Sequence, residues 1–209
     1  CPVEMTPATT TSEKVRFHTI NRETGRRVRS QYVDSETGKP VREQDEVKGY
    51  ETGEGQFVTF EDEELEAVAL ESVRTIDVDT FVPADAISWI WYDSPYYVTP
   101  SDKVGEEAFA VIRDAMAEKG VVGISRLVLN RRERAVLLEP RGKGIILWTL
   151  RYGDEVRDPK DYFKEIDPDK AEPKLLKLVT ELIAERTKSW EPEMVEDPVQ
   201  DRLVEIIKS

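Results

Sequence analysis

The chain has 209 residues, enough for one sizeable domain with appendages, and its apolar runs fall well short of the roughly 18 residues that a membrane-spanning helix needs. It carries 43 acidic and 30 basic residues, a formal net charge of −13, unlike the basic balance of most nucleic-acid-binding modules. A single cysteine, Cys1, excludes an internal disulfide and fits a reducing cytoplasm, and a four-ligand zinc site cannot be assembled from Cys1 and the one histidine, His18.

The chain opens Cys1-Pro2-Val3 rather than with methionine, and no charged-then-apolar leader is visible, so an internal fragment lacking a leading segment is expected. Residues 15–20 alternate weakly and predict a strand. NRETG at 21–25 and SETG at 35–38 are turn signals. Between them RRVRSQYV at 26–33 is a polar, basic strand with few core candidates, which predicts an extended ribbon or arm outside the core. Gly49-Tyr50-Glu51 and QFVTF at 56–60 pair as a hairpin around TGEG at 52–55. Residues 61–69 start a short acidic helix, and 73–81 alternate as a strand through Val73, Ile76 and Val78. Pro83-Ala84-Asp85 is a turn.

Residues 87–98 hold Trp89, Trp91, Tyr92, Tyr96 and Tyr97, and the Ser94-Pro95 break predicts two short strands. Base stacking is open to such aromatics, but strands favour them as packing groups, and sheet packing is the stronger reading. Ser101-Asp102 caps a helix over 105–119 with Phe109, Ile112 and Met116 on one face, flanked by Ala108 and Ala115, and Gly120 closes it. Residues 121–150 predict three antiparallel strands. The charged stretch 154–172, with Pro159 and Pro168, reads as a connecting loop. An amphipathic helix over 173–190 carries Leu175, Leu178, Val179, Leu182 and Ile183, the candidate dimer-interface residues. A final short helix over 199–208 carries Leu203, Ile206 and Ile207. Little else in the sequence can bury these two helices, so they are expected to embrace the core or a partner subunit. No internal repeat or low-complexity tract is apparent.

Charge is distributed unevenly. Residues 14–42 hold eight basic and three acidic residues, and 126–143 hold six and two. Residues 49–88 hold one basic and eleven acidic, and 154–209 hold ten and sixteen. Two basic islands in an acidic body permit a cationic surface facing one way. In the second island Arg131, Arg132, Arg134, Arg141 and Lys143 stand against only Glu133 and Glu139 around a short apolar run. Fixed positive charge on a rigid sheet suits a polyanion backbone, while a solvated hairpin tip is the other reading of such a run.

Nothing resembles an assembled active site, so no catalytic residue, metal or cofactor is expected. His18 reads as a packed or hydrogen-bonded residue. Gly142-Lys143-Gly144 lacks the pattern of a phosphate-binding loop. The run Glu61-Asp62-Glu63-Glu64 is open to a divalent cation, but it reads better as a helix start favoured by the dipole.

A collinear series of short stretches carries a resemblance over essentially the whole chain. It comprises Cys1-Pro2-Val3 with Pro7-Ala8-Thr9, Val15-Arg16-Phe17-His18, Gly25-Arg26-Arg27-Val28 and Val47-Lys48-Gly49-Tyr50-Glu51. Ser72-Val73-Arg74-Thr75-Ile76, Phe81-Val82-Pro83-Ala84-Asp85, Tyr96-Tyr97 and the segment from Arg132-Glu133-Arg134 to Pro140-Arg141-Gly142 follow. Thr149-Leu150-Arg151-Tyr152 and Glu155-Val156-Arg157-Asp158 complete it. In this series the chain resembles bacterial Ku, the DNA end-binding proteins of non-homologous end joining.

The resemblance implies an α+β, mainly β fold: a Ku-type β-barrel core over 1–152 with an arm inserted at about 21–48, then a C-terminal linker and helical arm over 153–209. It implies a homodimeric ring that threads a double-stranded DNA end without reading sequence, recruits an ATP-dependent DNA ligase, uses no cofactor and works at the bacterial nucleoid in the cytoplasm. It places Arg26, Arg27, Arg29, Lys39 and Lys48 on the arm, and Arg131, Arg132, Arg134, Arg141 and Lys143 on or near the barrel part of the channel, with Arg16 as a further DNA contact. Arg126 and Arg151 sit inside strand patterns and are expected to pair with acidic neighbours. The alternative is a non-catalytic assembly module whose basic islands meet an acidic partner. Three departures stand out. Some family members carry cysteine pairs in the arm, and residues 32–38 have none, which excludes an arm metal site. The family's usual strand before Cys1 is missing, which is expected to leave a barrel edge open. Many members end in a lysine-rich tail, whereas this chain stops at Ile207-Lys208-Ser209.

Overall fold

The computed structural model describes residues 1–12, 14–68, 75–166 and 172–209. The chain divides into two compact units, residues 1–10 with 18–156, and residues 11–17 with 157–209.

The first unit is built on a six-stranded antiparallel sheet. Its strands are β1 (Val3–Pro7), β4 (Thr80–Pro83), β5 (Tyr92–Pro100), β6 (Val121–Leu129), β7 (Arg132–Arg141) and β8 (Gly144–Leu150), in the order β1-β5-β8-β7-β6-β4. The three strands expected over 121–150 form its centre, with register Leu137↔Trp148 and Leu137↔Ile124. A separate hairpin pairs β2 (Lys48–Gly53) with β3 (Gln56–Phe60), followed by α1 (Asp62–Ala67). Helix α2 (Lys103–Lys119) starts at Asp102, whose carboxylate accepts from the Gly105 N–H at 2.7 Å, and ends at Gly120 in the left-handed region.

Alternation along the central strands sends side chains to both faces. On one face Val136, Leu138, Leu127, Ile145, Leu147 and Val98 pack with Phe109 and Met116 of α2. Ile112, expected on that stripe, is 46% exposed, so the buried face of α2 is narrower than its apolar pattern. On the other face Leu137 is fully buried, and Ile87 and Trp91 line a hollow with Ala135 and Leu150.

The expected closed barrel is not formed by this sheet. Among the described residues β1 and β4 are its two edges, and both are short and contain a proline, Pro7 and Pro83, that cannot donate to a further strand. Residues 87–98 give a 3-10 turn over Trp89–Trp91 and then most of one nine-residue strand, Tyr92–Pro100, rather than two strands, because a bulge between Tyr92 and Pro95 absorbs the proline and the Ser94 N–H donates to Thr149 Oγ1 at 3.0 Å. Of the strand expected over 73–81, residues 73 and 74 lie outside the described residues and only Thr80–Pro83 pairs with β6. The stretch before β4 packs against β6: the Ser125 hydroxyl donates to the Asp77 carbonyl at 2.6 Å, and a Cβ on Gly123 would stand 2.8 Å from Val78 Cγ1.

Residues 15–20 form no strand: only Ile20 pairs, in an isolated bridge with Arg27. Their weak alternation has no partner strand to bury it.

In the second unit α3 (Lys160–Phe163) interrupts the expected loop, of which residues 167–171 lie outside the described residues. Helix α4 (Pro173–Arg186) follows, with Leu175, Leu178, Val179, Leu182 and Ile183 between 44% and 62% exposed. Helix α5 (Pro198–Lys208) is capped by Asp197, which accepts from the N–H groups of Val199 and Gln200. The Val15 N–H donates to Gln200 Oε1 at 3.0 Å.

Candidate nucleic-acid interface

The first basic island is organised by a turn that occurs twice. NRETGRRVRSQ at 21–31 and DSETGKPVREQ at 34–44 share a pattern of Asn or Asp, then Glu-Thr-Gly, a cation, Val-Arg and Gln, at a spacing of 13 residues. This corrects the expectation of no repeat. The repeated unit is a turn, so it leaves no hydrophobic period.

The two turns have matching geometry. Asn21 Oδ1 accepts from the N–H groups of Glu23 and Thr24 at 2.9 and 3.2 Å, and Asp34 Oδ1 accepts from those of Glu36 and Thr37 at 3.2 and 2.7 Å. Thr24 Oγ1 and Thr37 Oγ1 each accept from the N–H two residues on, that of Arg26 and that of Lys39, at 3.4 Å. Gly25 and Gly38 both sit at φ 65°, a conformation that favours glycine. The Thr37 N–H and hydroxyl, with the Glu36 N–H, hold the Asp34 carboxyl below its ordinary range. The predicted strand over 26–33 is therefore a linker between two turns, carrying only the bridges Ile20↔Arg27 and Val33↔Pro40.

Each turn presents the cation that follows its glycine, Arg26 or Lys39, at the same place. Arg26, Arg29 and Lys39 are exposed and form no ion pair among the described residues. Arg27 Nη2 lies 2.6 Å from His18 Nδ1, which makes His18 a hydrogen-bonded residue. Arg16 belongs to the second unit, with Nη2 3.5 Å from Thr11 Oγ1.

The second island does not stay together. Strand β7 has ten residues, so it spans roughly 33 Å. Arg131, Arg132 and Arg134 lie at its start, and Arg141 and Lys143 at its end. The intervening Val136, Leu137 and Leu138 are buried. One cluster in sequence is thus two in space, because the apolar run between the cations is a full strand crossing the core.

At the first end, Asn130 and Arg131 form the β6–β7 turn with φ 51° and 64°. Arg131 Nη1 reaches Glu66 Oε1 at 3.3 Å, and Lys48 Nζ reaches Asp62 Oδ1 at 3.1 Å. Lys48, Arg131 and Arg132 line one cleft of about 560 Å³ with Asp62, Leu65, Glu66, Val68 and Asn130. The structure thus brings a residue assigned to the arm beside two assigned to the core. Arg134 lies over the Tyr152 ring, and the Tyr152 hydroxyl donates to the Glu133 carbonyl at 2.7 Å. At the other end, Arg141 Nη2 meets Glu139 Oε1 at 2.8 Å, and the Lys143 carbonyl accepts from Arg113 Nη1 at 2.8 Å.

Arg126 pairs with Glu133 at 2.9 Å, as expected of a strand arginine with an acidic neighbour across the ladder. Arg151 pairs with no acid among the described residues. Its Nη1 donates to the carbonyls of Ile90 and Tyr92 and holds the turn before β5. Tyr92 stacks against Trp148 with centroids 5.2 Å apart, and burial together with the Glu139 carboxylate pushes its hydroxyl above the ordinary range. Trp89 and Tyr97 are exposed. Glu61 and Glu64 form a capping box at the start of α1. Among the described residues no helix is long and apolar enough to cross a membrane. The acidic partners of α1 and the Tyr152 stack are long-range contacts with no local signature in sequence.

The family model for the Ku70/Ku80 beta-barrel domain matches residues 1–178. The chain belongs to the Ku family. It is 66% identical over 209 residues to the non-homologous end joining protein Ku of Methylocella silvestris, covering all of this chain and 77% of that protein. It is 56% identical to the protein of the same name from Allorhizobium ampelinum, over 99% of this chain and 76% of that one. A more distant relative of that name, from Archaeoglobus fulgidus, is 32% identical over all of this chain and 81% of its own length. Membership accounts for the collinear stretches from Cys1-Pro2-Val3 to Glu155-Val156-Arg157-Asp158, and within this chain the acidic helix α1 forms ion pairs with Lys48 and Arg131.

Proposed function

We propose that the chain is a non-catalytic, sequence-independent binder of double-stranded DNA ends in bacterial non-homologous end joining, acting as a homodimeric ring that threads the end and recruits an ATP-dependent DNA ligase. Its core, residues 1–152 with the arm at about 21–48, contacts the sugar–phosphate backbone. Residues 153–209 contribute to the dimer through Leu175, Leu178, Val179, Leu182 and Ile183. The site of action is the cytoplasmic nucleoid. Family membership and the end-joining names of the relatives support this reading.

The repeated turn is the observation that carries it. It presents Arg26 and Lys39 at equivalent positions 13 residues apart in sequence, directly after turns fixed by side-chain hydrogen bonds, with Arg29 and the Asp45-paired Arg42 three residues beyond each. Exposed cations held on two like turns suit a phosphate backbone and require no base edge.

The test is a gel shift across several salt concentrations. It compares linear duplex DNA with the same DNA closed into a circle or blocked at both ends by bulky loops. Binding restricted to accessible ends, weakened by salt and indifferent to sequence, is the expected result. Equal binding to closed DNA overturns threading, and no binding to linear DNA in low salt overturns the DNA reading in favour of a protein-assembly module.

A further inference from the structure

Helix α1 is six residues long, and Glu61, Asp62, Glu63, Glu64 and Glu66 place five carboxylates on it and its cap. Two of them reach cations on other elements: Asp62 meets Lys48 of β2, and Glu66 meets Arg131 of the β6–β7 turn. Asp62 and Glu66 are four residues apart, about 6 Å along a helix axis, comparable to the separation of adjacent phosphates on one strand. The cations they hold line a single cleft with Arg132 and Asn130.

Arg131 supplies an independent sign that its side chain is needed here. It occupies the second position of a two-residue hairpin turn at φ 64°, where glycine is the favoured residue. A non-glycine side chain kept in that conformation is strained and points to a use beyond the turn.

We propose that Asp62 and Glu66 stand in for phosphates in the free protein, and that a DNA backbone displaces them from Lys48 and Arg131 as it enters the cleft. The proposal rests on the DNA-binding reading above. Both ion pairs are open to solvent, with side chains 63% to 82% exposed, so each is weak and readily exchanged. The latch would shield two cations from stray anions without blocking a duplex that brings many phosphates at once.

Salt dependence separates this exchange from a bystander role. A cation that already faces a carboxylate adds no net positive charge at the contact, so trading that carboxylate for a phosphate drives little net release of a counterion. A cation without such a partner releases one, steepening log K against log salt by about 0.9 per phosphate on duplex DNA. The full chain carrying Asp62→Asn with Glu66→Gln is compared, on one linear duplex, with Glu54→Gln and Glu63→Gln. The latter two are exposed residues outside these ion pairs, and their substitution makes the same change in charge. The latch variant is expected to show a slope steeper by about 1.8 and roughly tenfold tighter binding at low salt. The control keeps the wild-type slope. Placed on a Lys48→Gln, Arg131→Gln background, the latch substitutions add nothing beyond the control. A latch variant whose slope matches the control overturns the latch while leaving DNA binding intact. Absence of binding by wild type and latch variant alike overturns the DNA reading and the latch with it.

Discussion

Arg134 stacks on Tyr152, its guanidinium carbon 4.7 Å from the ring centroid, and the Tyr152 hydroxyl closes the arrangement by donating to the carbonyl of Glu133. The ring fixes an arginine at the start of β7, and the hydroxyl fixes the ring. Tyr152→Phe removes only the hydrogen bond and is expected to cost about 1 kcal/mol of stability. Tyr152→Ala also removes the stack and is expected to cost about 2 kcal/mol. Thermal unfolding of the two variants checks this order, and a Phe variant as stable as wild type would show that the hydroxyl does not anchor the ring.

Arg131 sets stability against binding. Its φ of 64° favours glycine, so Arg131→Gly relieves the turn and is expected to stabilise the chain by about 1 kcal/mol. The same change removes a cation from the cleft it shares with Lys48 and Arg132 and is expected to weaken binding to linear duplex. Chemical denaturation and a gel shift on one preparation measure both effects. Opposite signs are expected, and a loss of stability would mean that the Glu66 pair outweighs the strain.

The two repeated turns differ in how they answer to pH. Asn21 does not ionise, whereas Asp34 has its carboxyl held below the ordinary range by the Thr37 and Glu36 donors. A carboxyl with a folded-state pKa below its unfolded value adds stability above the unfolded value, 3.8, and that stability is lost as pH falls through the lower folded value. Acidification is therefore expected to loosen 34–39 before 21–26. Amide resonances of Thr37 and Thr24 followed by NMR titration report each turn separately. Asp34→Asn is expected to abolish the difference, and identical profiles in the wild type would contradict it.

What the sequence disclosed follows from the range of the forces involved. The cap at Asp102, the stop at Gly120 and the hairpin around 52–55 rest on local chemistry and were legible. The three strands of 121–150 were legible because their apolar runs are bounded by turns. The edge strand β1 was not, since its five residues are only partly buried and acquire their role by pairing with β5. The cationic groups could be listed but not placed. Arg131 and Lys143 are twelve positions apart in sequence and at opposite ends of β7, while Lys48 and Arg131 are distant in sequence and share a cleft. Strand length and long-range packing decide that grouping, and neither is visible in a charge pattern.

Gly123 shows the same dependence on a distant neighbour and offers the sharpest test of the first unit's packing. A Cβ there would lie 2.8 Å from Val78 Cγ1, nearer than side chains approach, and 3.5 Å from the Phe81 ring. The neighbour is a short, branched side chain held against β6 by the Ser125 bond to the Asp77 carbonyl, so it cannot swing clear. Gly123→Ala is expected to destabilise the chain by about 1–3 kcal/mol through overpacking. Val78→Ala alone leaves a small void and also destabilises. Combined, the new methyl group enters the space that valine vacated, so the double variant is expected to lose less stability than the two single variants added together. Denaturant unfolding of all four proteins measures that coupling. Simple additivity would mean that the stretch before β4 moves aside freely, and that glycine at 123 is not what lets it lie against the sheet.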